Sequence, residues 1–266
     1  MNITRLFIAK TLLFALFYFV SIPANAQNLA DTAKRDYLTS PDTIKHLHNA
    51  AWKAITPAAF IAIGASSFVV KPVRNFDYYV RSEIKKSDPH FHTTAESYFQ
   101  FVPIVLVYGL NLAGVDGKND FIDRTAILGL SAGILGITGY GTKYLTRNSR
   151  PYKSRLWSTF PSGHTATAFM GAEFLAEEYA DNSPAIAVAG YTIAAATGVF
   201  RMYNRDHTFS EVIAGAGYGI LSTKAAYFLY PRIRNMLTHI SKDGKSVMVM
   251  PTYQEGVPGL AFAMVL

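Results

Sequence analysis

The chain has 266 residues, half of them hydrophobic, a formal net charge of +7 and no cysteine. That length can bury one sizeable core, and the lack of cysteine removes disulfides, thiolate metal sites and cysteine nucleophiles. The basic balance suits an acidic partner such as phosphate, anionic lipid or nucleic acid, without choosing among them.

Residues 1–26 carry Arg5 and Lys10, an apolar run over 12–22, and then Ala24-Asn25-Ala26 before Gln27. This is a secretory signal layout, and the run is shorter than the ~20 residues a spanning helix needs. A cleaved signal peptide is therefore expected, with the mature chain starting outside the cytoplasm in a bacterial-type cell envelope. A polar N-terminal segment, 27–49, follows. The apolar run 50–70, interrupted by Lys53 and Pro57, is long enough to cross a bilayer. Between Lys71 and Ser87 five basic side chains alternate with Phe76, Tyr78, Tyr79 and Ile84. This reads either as a basic amphipathic helix on a membrane surface or as a solvated helix packed on the domain.

Residues 101–112 are apolar but too few to cross comfortably, and a polar loop, 114–120, comes next. Helices are predicted over 125–140, from about 162 to 179, over 184–200 and over 211–230. Gly129, Ala132, Gly133, Gly136 and Gly139 predict close helix contact on the first of these. Mean hydropathy is only +0.15, so a soluble envelope enzyme is the alternative to a membrane bundle. Beyond Pro231, the β-prone runs 246–250 and 259–266 predict a C-terminal hairpin. The expected architecture is an all-α helical bundle over 50–231, several of its helices transmembrane, followed by a basic segment and hairpin tail over 232–266.

Three segments bring phosphate-binding groups to the ends of apolar helices. The first runs from Lys143 to Arg150-Pro151, and a helix ending between the two cations can turn both toward one anion. The second is Pro161-Ser162-Gly163-His164, where Ser162 is a good N-cap and the exposed N–H groups of a helix start form an anion site. The third is Arg201, then His207, then Glu211. These residue types suit phosphoryl transfer, which is mostly positioning and charge stabilisation around phosphate oxygens. Lys143, Arg150 and Arg201 supply positive charge, the arginines through a fork that can hold two oxygens. One histidine can attack phosphorus while a second donates a proton to the leaving group. Glu211, four residues after His207, shares a helix face with it if both lie in the same helix start, and can hold the imidazole tautomer.

In order and spacing the three motifs resemble the signature of the type 2 phosphatidic-acid phosphatase and vanadium haloperoxidase superfamily. The resemblance covers 143–211, about a quarter of the chain. It implies that His207 is the nucleophile and His164 the general acid, and that Lys143, Arg150, Ser162, Gly163 and Arg201 bind the phosphoryl group. Two positions depart from the family pattern. Phe200 stands where a small residue is usual and is expected to narrow the pocket, and Glu211 stands where aspartate is usual. The implied reaction is hydrolysis of a lipid-like phosphomonoester or diphosphate through phosphohistidine. No cofactor, metal or nucleic-acid partner is expected; the pairs His46/His48 and His90/His92 lack a third ligand at a recognisable spacing. The alternatives are a soluble broad-specificity acid phosphatase, a vanadate-dependent haloperoxidase and a non-catalytic membrane protein.

The positive-inside rule puts the basic stretches 71–86 and 232–245 on the cytoplasmic side. If 101–112 does not cross, the three motifs then face the periplasm. If it does cross, the motifs move to the cytoplasm and the basic C-terminal stretch moves out; the first count agrees better with the charges, so a periplasm-facing site is expected.

Overall fold

The computed structural model describes residues 50–146, 160–237, 246–254 and 257–265. The expected signal peptide, the segment 27–49, Arg150, His46, His48 and His239 lie outside the described residues. Eight helices are described: α1 (Ala50–Ser66), α2 (Lys71–Ser87), α3 (Ala95–Phe99), α4 (Val102–Leu112), α5 (Phe121–Thr146), α6 (Gly163–Tyr179), α7 (Pro184–Tyr203) and α8 (Phe209–Leu237). Prolines in the first turns of α2, α4 and α7 fit helix starts, where a missing N–H costs nothing.

The body is all-α. α6 is its most buried helix and packs against α4, α7 and α8, while α8 also lies along α1 and α5. Val107, Ile127, Phe174, Leu175, Tyr179 and Ala226 form the main core cluster. α8 approaches α6 so closely that a Cβ on Gly219 would lie 2.2 Å from the Ala166 carbonyl oxygen, and one on Gly215 2.6 Å from that of Ser162. The close contact expected on the glycines of α5 is absent: a Cβ on Gly129, Gly133, Gly136 or Gly139 meets nothing within 4 Å. The small-residue face that packs backbone to backbone belongs to α8.

α5, α7 and α8 are long and apolar enough to cross a membrane, and α1 with α2 makes a fourth candidate broken by an 85° bend. The outer helices present large apolar side chains outward, with Ile137, Tyr140 and Leu145 each 78% exposed. Such a surface is unfavourable in water and suits lipid.

The path of the chain corrects one expectation. α1 runs antiparallel to α8, because Gly217 faces Pro57 and Ile61 whereas Gly64 faces Ser210 and Ala214. α1 therefore ends beside the start of α8. α2 stays at that end, where Asp77 Oδ1 accepts the Ser210 N–H at 2.9 Å. The basic stretch 71–86 is thus at the same end of the bundle as the third motif, not the opposite one. From α3, beside Arg201, the chain then runs the length of α6. Ile104 meets Gly171 midway, and the Tyr179 hydroxyl donates to the Val107 carbonyl at 2.9 Å. At the far end Asn182 Nδ2 donates to the Asp116 carbonyl at 2.7 Å. Residues 101–112 thus lie along α6, between the site end of the bundle and its far end, in a helix shorter than the candidate spans.

α8 also runs past the expected boundary at Pro231. Its last turns are held by Tyr230, whose hydroxyl donates to Asp123 Oδ1 at 2.8 Å, and by Arg234, 3.2 Å from Asp123 Oδ2.

Candidate active site

Four helix ends meet at one end of the bundle. α6 and α8 begin there and α5 and α7 finish there, so two helix N-termini, with their partly positive N–H groups, face cations on two C-terminal turns. The backbone N–H of Ser162 donates to the Glu211 carbonyl at 3.0 Å and ties the two starts together.

Ser162 is the N-cap of α6, as expected, but makes no side-chain cap bond. Its hydroxyl lies 2.9 Å from Thr165 Oγ1 instead. The first N–H groups of α6 therefore have no side-chain cap from Ser162. Lys143, in the last turn of α5, reaches this start: a Cβ on Gly163 would lie 3.7 Å from its Nζ. Thr142 Oγ1 and Tyr218 OH, 2.7 Å apart, pin that turn of α5 to α8. α5 is described as far as Thr146, beyond the 125–140 expected for it, and so carries Lys143.

His207 is buried, and its Nδ1 lies 3.0 Å from Glu211 Oε2. The two do not share a helix face, because α8 starts at Phe209 and His207 precedes it. Glu211 reaches back instead. Its Oε2 accepts the Thr208 N–H at 3.0 Å, and the Glu211 N–H points to Thr208 Oγ1 at 3.4 Å. This reciprocal pair is a capping box. The residue that departs from the usual aspartate is thus long enough to cap its own helix and hold the imidazole together. With Nδ1 held at the carboxylate, Nε2 is the ring nitrogen that faces away from Glu211.

Arg201 sits in the last turn of α7. Its Nη1 contacts Asp206 Oδ2 at 2.9 Å and Glu96 Oε1 at 3.2 Å. Its Nε is buried without a partner among the described residues, as is Glu96 Oε2. The loop from Arg201 to His207 folds back on itself, with Asp206 and His207 N–H groups both directed at the Arg201 carbonyl, 3.1 and 3.3 Å away. Arg205 takes a left-handed backbone conformation there, φ 63°.

His164, in the first turn of α6, is half-buried and within electrostatic range of Arg201 and His207. Burial, followed by the Arg201 and His207 charges, pushes its pKa below the usual histidine value, against a smaller upward pull from Glu96 and Asp206.

Of the predicted site residues, Lys143, Ser162, Gly163, His164, Arg201, His207 and Glu211 come together; Arg150 is not described. Phe200 is engaged elsewhere, its ring against Phe91 and Phe99 with centroids 6.4 and 5.8 Å away. It seats the 88–100 segment on α7, which two hydrogen bonds between Asn204 and the Thr93 backbone also fasten. Sequence reasoning missed Glu96, Asp206 and Asp77. Glu96 lies 105 residues from Arg201 and Asp77 lies 133 from Ser210, so no local pattern announces them. Thr208-x-x-Glu211, by contrast, was readable as a capping box. Among the described residues no three His, Asp or Glu side chains gather at metal-binding spacing.

Residues 125–235, the stretch that supplies the four helix ends of the site, match the sequence model of the PAP2 superfamily. The chain is similar to a lipid A 1-phosphatase of Porphyromonas gingivalis, 29% identical over 232 residues, which are 86% of this chain and 51% of that protein. It thus spans about half the length of that curated relative. Among solved structures it is similar to the first transmembrane PAP2 type phosphatidylglycerolphosphate phosphatase from Bacillus subtilis, at 17% identity and a TM-score of 0.45, covering 71% of this chain and 100% of that one.

Proposed function

We propose that the protein is a membrane phosphatase that hydrolyses a lipid-like phosphomonoester or diphosphate through a phosphohistidine on His207, without a metal. The observation that carries this reading is the His207–Glu211 contact at 3.0 Å beside the cations Lys143 and Arg201. In the first step Nε2 of His207 attacks phosphorus, the bond from phosphorus to the leaving oxygen breaks, and His164 gives that oxygen a proton. In the second, water attacks the phosphohistidine, the P–N bond breaks and His164 takes the proton from water. Glu211 stabilises the charged ring. Lys143, Arg150, Arg201 and the Ser162-Gly163 helix start bind the phosphoryl oxygens, and the unpartnered Arg201 Nε supports that assignment.

The relative of Porphyromonas gingivalis dephosphorylates the 1-position of lipid A by its name, so a glycolipid 1-phosphate leads the candidate substrates, ahead of glycerolipid and polyprenyl phosphates. The domain assignment stays as the sequence suggests, with the helical domain beginning at residue 50. It is extended at its end to Leu237 and followed by a hairpin of β1 (Ser246–Gln254) against β2 (Val257–Val265).

The compartment of the site is linked to that of residue 50. If α1 crosses the bilayer by itself, running from the far half of the bundle to the site end, a periplasmic site has residue 50 on the cytoplasmic side. A signal cleaved after residue 26 would put it on the periplasmic side. The two expectations then exclude each other, and a cysteine placed at the site end decides by its labelling from outside intact cells.

The function is tested by phosphate release from a panel of lipid phosphates and an aryl phosphate in detergent, with chelator present. Release by the wild type that is lost in His207→Ala supports the reading. No release from any phosphate ester, or activity that needs an added divalent ion, contradicts it.

A further inference from the structure

We propose that α2 lies in the plane of the membrane at the mouth of the site and binds the phosphates of anionic lipid headgroups, concentrating lipid substrate there. The inference rests on the reading that α5, α7 and α8 cross a bilayer. α1 lies along α8, and α2 turns away from α1 by 85°, so α2 runs across the direction of the crossing helices. The corner is fixed from within: Arg74 Nε and Nη2 donate to the carbonyls of Ser67 and Phe68 at 3.1 and 2.5 Å. One face of α2 is docked on the protein. Asp77 and Ile84, seven residues apart and so on one face, are both buried, Asp77 holds the Ser210 N–H, and Phe76 packs edge-on against Phe209 at 5.3 Å.

The rest of the helix is exposed and has the chemistry of an interface. Lys71, Arg81, Lys85 and Lys86 are all exposed, and the acids of the helix are the buried Asp77 and Glu83, whose charge is met by Lys86 at 2.7 Å. Tyr79 is 61% exposed, and Val69, at the corner, 80%. Basic side chains beside exposed apolar and aromatic ones, on a helix perpendicular to the spans, are the features that hold a helix at a layer of lipid phosphates. The position is what gives the surface a purpose. Asp77 is bonded to the second residue of the helix that Glu211 caps, and the chain after α2 leads through α3 to Glu96 on Arg201. A lipid held by α2 is therefore at the rim of the phosphate-binding groups.

The absence of native cysteine allows a clean test on the full chain. A nitroxide on Tyr79→Cys, in phosphatidylcholine nanodiscs with and without phosphatidylglycerol, reads depth through collisions with oxygen and with a nickel chelate. Alongside it, turnover of dilute lipid phosphate and of a soluble aryl phosphate is compared between wild type and Lys71→Gln/Arg81→Gln/Lys85→Gln. The expected results are an interfacial nitroxide and a KM for lipid phosphate lowered by at least about five-fold by phosphatidylglycerol, an effect lost in the triple variant. Aryl phosphate turnover stays unchanged. A nitroxide open only to the chelate, one shielded from both collision partners as in a protein interface, or stimulation that survives in the triple variant overturns the proposal. Protein that is active and soluble without detergent overturns the membrane reading itself, so the two failures are distinct.

Discussion

At the end of the bundle away from the histidines, Glu178 receives Arg124 Nε at 3.2 Å, Asn119 Nδ2 at 2.6 Å and the Tyr227 hydroxyl at 2.5 Å, while Lys224 pairs with Glu173 and lies 3.6 Å from Glu177. At the site end the cations are left short of partners. Lys143 has no ion-pair partner among the described residues, and of the four buried side-chain atoms without a hydrogen bond, Glu96 Oε2, Arg201 Nε and Ser210 Oγ are here, against Arg124 Nη1 at the far end. Burying charge costs free energy unless it is paired. Pairing at the far end therefore reads as structure, and Lys143 together with the open Arg201 Nε, rather than the Glu96 and Ser210 oxygens, reads as a place kept for an anion.

The largest effect that separates the two ends is on stability. Arg124→Ala leaves Glu178 buried without its charge partner, which costs about 3–5 kcal/mol. Thermal unfolding in detergent should show that loss, whereas kcat of the folded fraction stays near wild type. Equal damage to kcat would mean the two ends are not separate in function.

Glu211 sharpens the site side of the contrast, since it both caps α8 and holds His207. Glu211→Gln keeps the capping box, because glutamine can serve at that position, but removes the charge. Turnover should fall by about 10²-fold with the melting temperature unchanged. Glu211→Asp is too short to serve both contacts and should lose about 1 kcal/mol of stability as well. A melting loss in the glutamine variant would break this division of roles.

The pH profile tests whether a charge is missing from the site. His164 is depressed first by burial and then by Arg201. A bound phosphate offsets the arginine charge and lets the proton affinity of His164 rise. For an alkyl phosphate, the limb on which activity falls as His164 deprotonates should lie below about pH 6.5 in kcat/KM, which reports the free protein. In kcat, which reports the complex, it should lie at higher pH. Coincident limbs, or the reverse order, would contradict the account. The smallest effect is expected at Arg205, whose left-handed backbone costs a non-glycine residue about 1 kcal/mol. Arg205→Gly should gain up to about that much in an unfolding measurement.

How much of this the sequence disclosed follows from distance along the chain. The three motifs, the start of α6 and the residue range of α2 could be read because each depends on neighbours within a few positions. The end of α5 beyond Lys143 and the course of α8 through Pro231 could not, because both are settled by contacts from other helices, such as Tyr218 on Thr142 and Asp123 on Arg234. The same holds for the side of the bundle on which the basic stretch lies. The course of 101–112 along α6 is likewise set by contacts, such as Ile104 on Gly171, that hydropathy does not carry. Glu96 and Asp77 carry no motif, and only the fold brings them to Arg201 and Ser210.

The most direct test is to mix the protein with a phosphate ester bearing labelled phosphorus, quench rapidly without acid, and map the label by mass spectrometry. A phosphoryl group on His207, absent from His207→Ala and accumulating when water attack is slowed, is the predicted result. Label on His164, or turnover with no covalent phosphoryl group on either histidine, would contradict it.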